Sequence, residues 1–145
     1  MKALIQRVKR ASVSINDELY SSIGTGILVF LGVENSDEKE NAAKLAQKIS
    51  GLRIFEDGNE KMNLSVKDIQ GEVLVVSQFT LCGDCKKGTR PSFDKAAPPE
   101  KAVKLYEYFV KCINDLNIPV KTGKFRAMMH VELVNDGPVT FMLEK

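Results

Sequence analysis

Two short segments carry the chemistry this chain offers, and neither holds an ordinary catalytic side chain. Ser77-Gln78-Phe79-Thr80-Leu81 closes an apolar run, and Asn135-Asp136-Gly137-Pro138-Val139-Thr140 interrupts the last strand-like stretch. Proline has no backbone N–H and does not belong inside a paired central strand. An X-Pro bond is also where a cis peptide costs least. Gly137 lacks a side chain, so another molecule can approach its backbone closely. Such a pair suits chemistry done by the main chain, at a place where a ligand is measured.

The more familiar reactive groups read as structural. His130 is the only histidine, sits in a strand pattern and has no orienting partner or nucleophile beside it in sequence. Cys82-Gly83-Asp84-Cys85 offers a redox pair or half a zinc site, but zinc takes about four ligands and no second pair exists. A thioredoxin-like pair would sit at a strand-to-helix turn, not in a polar loop. The Thr80 hydroxyl has no base nearby in sequence to make it a nucleophile. Gly24-Thr25-Gly26 lacks the Lys-Ser/Thr of a phosphate loop. The Phe and Tyr positions mostly match core stripes rather than base-stacking platforms. No cofactor or metal is expected. Basic residues cluster at Lys9-Arg10, at Lys86-Lys87 with Arg90, and at Lys121 with Lys124 and Arg126. They are read either as solvated loop charges or as holders of phosphate.

Periodicity supplies the elements that position these residues. Strands are expected over Ala3–Ile15, Leu19–Ile23, Ile27–Val33 and Glu72–Ser77, with a short piece at Arg53-Ile54-Phe55 and two more near Ala127–Val134 and Val139–Leu143. Ser36 is placed as the cap of a helix over Asp37–Ser50, with Ala42, Leu45, Ala46 and Ile49 as its stripe and Gly51 as its stop. Pro98-Pro99 opens a second helix to about Leu116, and Pro119 ends it. Cys82–Phe93 reads as a long polar loop. The fold class is α/β (α+β): one domain over residues 1–145, a mixed and partly closed β-barrel-like sheet covered by two helices.

Composition agrees. The 145 residues are 43% hydrophobic and 28% charged with a net charge of +2, as in a soluble globular domain large enough for a real core. No apolar run is long enough for a membrane span, and the opening Met1–Arg7 is not a signal peptide. Three cysteines and no sign of export suggest free thiols in the cytoplasm.

The two opening segments together closely resemble the D-aminoacyl-tRNA deacylases. The likeness continues through Ile5-Gln6-Arg7-Val8, Gly32-Val33, Leu52-Arg53-Ile54-Phe55, Lys61-Met62-Asn63, Lys87-Gly88-Thr89-Arg90-Pro91-Ser92-Phe93 and Thr122-Gly123 with Phe125. It covers nearly the whole chain in order. One departure is Phe125-Arg126-Ala127, where the family usually has Phe-Gly-Ala; the arginine adds bulk and charge that could meet RNA phosphate or narrow a pocket.

The resemblance implies a homodimer with two active sites at or near the interface. It implies a cis Gly137-Pro138 peptide inserted from one subunit into the pocket of the other. The substrate it implies is the ester joining a D-amino acid to the 3′ terminal adenosine of aminoacyl-tRNA, with glycyl-tRNA mischarged on tRNA(Ala) also cleaved and L-aminoacyl-tRNA rejected. An aminoacyl ester is already activated, so water attack needs positioning and charge stabilisation more than a covalent nucleophile. The catalytic segment is then Ser77, Gln78, Phe79 and Thr80, with the Phe79 and Thr80 amides holding the oxyanion and a ribose hydroxyl of the substrate assisting. The carbonyls of Gly137 and Pro138 form the chiral gate, Arg7 braces their corner, and Lys86, Lys87, Arg90, Lys124 and Arg126 are the candidates for tRNA contact. Three other readings stay open: a relative with a trans Gly-Pro that edits L-alanine, a thiol redox protein using Cys82 and Cys85, and a non-catalytic module that binds tRNA ends.

Overall fold

The computed structural model describes residues 1–145. Strand β1 (Lys2–Ile15) runs the length of the molecule and organises it. On one edge its first half pairs antiparallel with β3 (Gly26–Gly32) and its second half with β2 (Glu18–Ile23). Helix α1 (Lys39–Ser50), the two-residue strand β4 (Phe55–Glu56) and β5 (Met62–Leu64) follow. Strand β6 (Glu72–Ser77) then lies parallel to β3, and β7 (Val120–Thr122) parallel to β6. Helix α2 (Pro99–Asp115) separates β6 from β7. The last strand, β8 (His130–Glu144), covers the free edge of β1 along its whole length. The sheet therefore runs β8-β1-β3-β6-β7 with β2 beside the far half of β1. It curls so far that Ser21 Oγ on β2 donates to Thr122 O on β7 at 2.8 Å, which nearly closes a barrel.

The alternation along β1 explains the layering. Ala3 and Ile5 point with Ile27, Val29, Leu31, Val73 and Val75 toward the helices, where Leu45, Ile49, Leu105, Phe109 and Ile113 meet them. Val8, Ala11, Val13, Leu28, Leu74 and Val76 fill a smaller core on the opposite face. Because burial stabilises in proportion to the apolar surface removed from water, the larger layer, 24 buried residues against 7, carries most of the hydrophobic stabilisation. Tyr106 of α2 is buried within it and donates its hydroxyl to Val75 O at 2.8 Å; burial raises its phenol pKa.

Four sequence expectations change. Ser36 does not cap α1: the helix starts two residues later, with Glu38 as its N-cap, whose N–H is taken by Asn41 Oδ1 at 2.9 Å. The reason is Asp37, which is buried and turned inward to accept from Glu34 N at 2.6 Å and from the Met1 ammonium. The short strands β5 and β7 have too few residues to show a period, and only their partners reveal them. Strand β8 begins at His130 rather than Ala127, because 124–127 form a turn closed by Ala127 N–H donating to Lys124 O at 3.1 Å. Finally, the two C-terminal strands are one. Between Gln6↔Thr140 and Val8↔Asn135 the β8 chain bulges, so that residues 136–139 stand opposite Arg7 alone. Pro138 thus sits in a strand without having to donate to a ladder.

Candidate active site

The parallel strands β3, β6 and β7 end at one edge of the sheet, and two of the segments with functional promise begin there. Gln78 N–H still follows the ladder, donating to Leu31 O at 2.8 Å. The chain then winds into one 3₁₀ turn, Phe79–Cys82. Leu81 N–H donates to Gln78 O at 3.2 Å and Gly83 N–H to Thr80 O at 3.0 Å. Between them, the Phe79 and Thr80 amides lie in the first turn, where no intrahelical acceptor is within reach, and no loop carbonyl takes them. Two adjacent, exposed donors of fixed direction are an arrangement able to hold an oxyanion.

Close packing sets that direction. A Cβ at Gly32 would lie 3.1 Å from each of Cys82 Sγ, Gln78 O and Leu81 Cβ, so the turn seats closely against the end of β3 and a side chain there would push it outward. Cys82 is buried beneath it, with its thiol 3.5 Å from Val33 O. Burial, then the Glu34 carboxylate, pushes that thiol up, the opposite of an activated nucleophile. Cys85 is exposed on the following loop, and all three cysteines are free thiols. The Gln78 side-chain amide donates to Thr80 Oγ1 at 2.6 Å, so the Thr80 hydroxyl is held by a donor and has no base beside it. Ser77, the last residue of β6, is half-buried and pairs in register with Leu31. His130 is exposed at the start of β8, 4.0 Å from the equally exposed Asp17.

The basic residues separate into two groups. Asp84 and Ser92 exchange both backbone bonds, at 2.7 and 3.0 Å, and close a hairpin whose tip carries Lys86, Lys87 and Arg90. This arm is tied to the Phe79 turn by Phe93, whose ring meets Phe79 edge-on at 5.1 Å. Lys124 and Arg126 sit on the turn after β7, at the same sheet edge, with Arg126 at φ +62°. The expectation that the Phe and Tyr positions mostly match core stripes does not extend to Phe79 and Phe93. Phe79 is 55% and Phe93 39% exposed, because both follow the ends of paired segments and have no helix above them. Phe93 was legible only as part of a motif, since a loop residue has no period.

The Gly137-Pro138 corner lies elsewhere. Three strand spacings separate β8 from β6, and Arg7, opposite the corner, pairs with Ile27 while Ser77 pairs with Leu31. At about 4.8 Å per strand and 3.3 Å per residue, the corner and the Phe79 turn of one chain are roughly 20 Å apart along the sheet. The Gly137-Pro138 peptide is cis, as the resemblance implied. Both residues are exposed, and a Cβ at Gly137 would meet only Asn135 Oδ1, at 3.6 Å. Arg7 does brace this corner, but not through the Gly137 and Pro138 carbonyls. Its Nε donates to Asp136 O at 3.2 Å and lies 3.0 Å from Asp136 Oδ2, and its Nη1 donates to Ile54 O at 2.6 Å. Its Nη2 is 3.6 Å from Glu56. Arg7 is 4% exposed, so each of these bonds is made in a poorly hydrated place. Asn135 completes the brace, donating to Arg7 O at 3.0 Å and Val139 O at 3.2 Å across the base of the bulge. The bracing by Asn135 and Asp136 went unforeseen, although Asx residues before a Gly-Pro are a turn signal.

Comparison with known proteins decides the family. The family model described as D-Tyr-tRNA(Tyr) deacylase matches residues 4–144. The chain belongs to the D-Tyr-tRNA(Tyr) deacylase family. D-aminoacyl-tRNA deacylases from Thermodesulfovibrio yellowstonii and Thermotoga petrophila are 59% and 58% identical to it, over 99% of this chain and 98% and 97% of theirs. A solved structure titled c-Myc DNA Unwinding Element Binding Protein is 44% identical, with a TM-score of 0.95 over 100% of this chain and 99% of that one. A probable eukaryotic D-amino acid tRNA deacylase at 16% identity superposes with a TM-score of 0.83 over 99% of this chain and 98% of that one and shares the deacylase fold. No helix of this deacylase-family chain is long and apolar enough to cross a membrane.

Proposed function

We propose that this protein hydrolyses the ester bond of D-aminoacyl-tRNA, releasing the free D-amino acid and tRNA. The reading rests on one observation: two unpaired, adjacent amides at Phe79 and Thr80, presented at a sheet edge with no nucleophile or base beside them. That equipment suits an ester already primed for water attack. The two amides would stabilise the oxyanion of the tetrahedral intermediate, a device worth about 10²–10³ in rate per donor. The Thr80 hydroxyl, tied to Gln78, is an orienting group rather than the nucleophile. The 2′-hydroxyl of the terminal ribose supplies the polar assistance that the side chains do not.

Selection of the D-enantiomer falls to the Gly137-Pro138 corner. Its carbonyl oxygens grip the substrate ammonium and crowd the direction an L side chain would take, so discrimination works by exclusion. Such a wall tolerates many D side chains and does not exclude glycine, so glycyl-tRNA is also a substrate. The corner is exposed and, three strands from β6, roughly 20 Å along the sheet from the turn of its own chain, which supports a symmetric homodimer in which each corner serves the partner's turn. Lys86, Lys87, Arg90, Lys124 and Arg126, all exposed at the edge that holds the turn, are the tRNA-facing cations. The working compartment is the cytoplasm, where charged tRNA is used.

The deciding experiment is hydrolysis of D-tyrosyl-, L-tyrosyl- and glycyl-tRNA by the purified protein. Cleavage of the first and third with the second spared is expected. Equal rates on both tyrosyl esters would remove the gate, and no turnover would remove the enzyme.

A further inference from the structure

The deacylase reading leaves one surface without a role: the two exposed rings beside the Phe79 turn. Phe79 and Phe93 meet edge to face, with ring centroids 5.1 Å apart and planes at 61°. That geometry leaves ring faces open to solvent, and the two residues are 55% and 39% exposed. Phe93 is anchored: a Cβ at Gly83 would lie 3.0 Å from its Cε1, so the ring edge rests on the bare backbone where the 3₁₀ turn ends. Its neighbour Ser92 closes the hairpin arm, and Ser92 Oγ is itself fixed to Asp94 Oδ2 at 2.7 Å. The arm presents Lys86, Lys87 and Arg90 at its tip, all exposed, and none of the three joins an ion pair of the fold. Open aromatic faces flanked by unpaired cations form the equipment of single-stranded nucleic-acid binding: bases stack on the rings and phosphates meet the cations.

We infer that Phe79 and Phe93, with the Lys86–Arg90 arm, form a stacking platform for the unpaired nucleotides that precede the terminal adenosine of the substrate RNA. The inference rests on the deacylase reading for the identity of the RNA, and it adds to that reading the part of the enzyme that recognises more than one nucleotide. A base seated on Phe93 would place the ester-bearing end over the two free amides, because that ring rests on one end of the turn and touches the other. An apolar protein partner would not need three unpaired cations at the rim. RNA does, since each phosphate neutralised releases counterions and makes binding salt-dependent.

The test compares two substrates, D-tyrosyl-adenosine and the same ester on the trinucleotide cytidylyl-cytidylyl-adenosine, through the ratio of their kcat/KM values. The trinucleotide should be favoured at least about tenfold by the wild type, and Phe93→Leu should cut that ratio at least about fivefold, the effect of losing one base–aromatic stack. Replacing Lys86, Lys87 and Arg90 together by alanine, at an exposed tip where folding is not at stake, should lower the ratio and flatten its salt dependence. A ratio unchanged in both variants overturns the platform, whether or not absolute rates fall, because a merely structural Phe93 would penalise both substrates alike. Dissociation of an oligomer by Phe93→Leu in sedimentation velocity also overturns it, since the rings would then belong to a subunit contact. If the wild type cleaves neither ester, the deacylase reading has failed, and anisotropy with a labelled, uncharged trinucleotide still decides the platform: a Kd raised at least about fivefold by Phe93→Leu supports it, and an unchanged Kd overturns it.

Discussion

The Phe79 turn and the Gly137-Pro138 corner hold backbone atoms in place by opposite means. The turn is set by contact. Gly32 and Gly83 let Cys82, Leu81 and Phe93 press against bare main chain, with neighbours that a Cβ would meet at 3.0–3.1 Å. The corner is set by hydrogen bonds. A guanidinium that is 4% exposed and the Asn135 amide pin both arms of the bulge while its tip touches almost nothing. A packed site fails when volume is added, and a pinned site fails when a donor is removed. The two constructions suit the two proposed roles. Donors aimed at one atom need rigidity from below, whereas a gate that enters another pocket needs a free tip on a fixed base.

The pinned corner is most vulnerable at Arg7. Arg7→Ala would strand the Asp136 and Ile54 carbonyls and leave the Asp136 carboxylate to Lys9, 3.2 Å away, and each buried acceptor left unpaired costs about 1–3 kcal/mol. Urea unfolding should show that loss, and Arg7→Lys should not restore it, because an ammonium cannot reach two carbonyls and two carboxylates from one plane. Stability within about 1 kcal/mol of wild type would mean that the corner is held by something else.

Two glycine substitutions probe the contrast directly. Gly32→Ala should cost about 1–3 kcal/mol and displace the Phe79 and Thr80 amides, with kcat falling at least about tenfold. Gly137→Ala should leave the unfolding midpoint nearly unchanged, within about 0.5 kcal/mol, since the new methyl meets only one oxygen at 3.6 Å. Its effect should appear in hydrolysis of D-aminoacyl-tRNA instead. If Gly137→Ala destabilised the isolated fold as much as Gly32→Ala, the free-tip description would be wrong.

Thr80→Ala should retain hydrolysis to within about tenfold, because the backbone and not the hydroxyl is proposed to hold the developing charge. A loss beyond about 10³-fold with the fold intact would make the hydroxyl essential. The smallest effects concern the thiols. Iodoacetamide at pH 8 should modify exposed Cys85 first and spare Cys82 until unfolding, as mass spectrometry of the alkylated protein would show. Burial raises the Cys82 pKa above its ordinary 9.0, so the folded state holds that proton longer than the unfolded chain does. The associated stability is complete below pH 9.0 and declines as pH rises beyond it toward the folded pKa, a slope that Cys82→Ala should reduce.

Long periodic segments were legible from the residues alone. The stripe from Ala42 to Ile49, the α2 stripe from Ala102 to Ile113 and the apolar runs of β3 and β6 fall where expected, because each buries one face and that face repeats, while Leu116, expected to end the α2 stripe, is its exposed C-cap. Elements of two or three residues, such as β4, β5 and β7, were weakly marked or missed, since a period cannot show in so short a piece. The cap of α1 was misplaced because Asp37 serves the Met1 ammonium, a partner 36 residues away.

The same division runs through the site. Residue types alone pointed to the peptides proposed to do the work: a glycine before a proline, and a polar turn after a buried strand, restrict the backbone locally whatever surrounds them. They also excluded a triad, since one histidine and no partnered nucleophile leave none to build. Tertiary structure alone decided that Arg7 grips Asp136 and Ile54 rather than the Gly-Pro carbonyls, that Phe93 joins the basic arm to the Phe79 turn, and that the corner and the turn of one chain lie far apart. Each of these joins residues between 14 and 129 positions apart or depends on strand order. Such contacts are set by how the sheet orders its strands, and no local preference encodes that order.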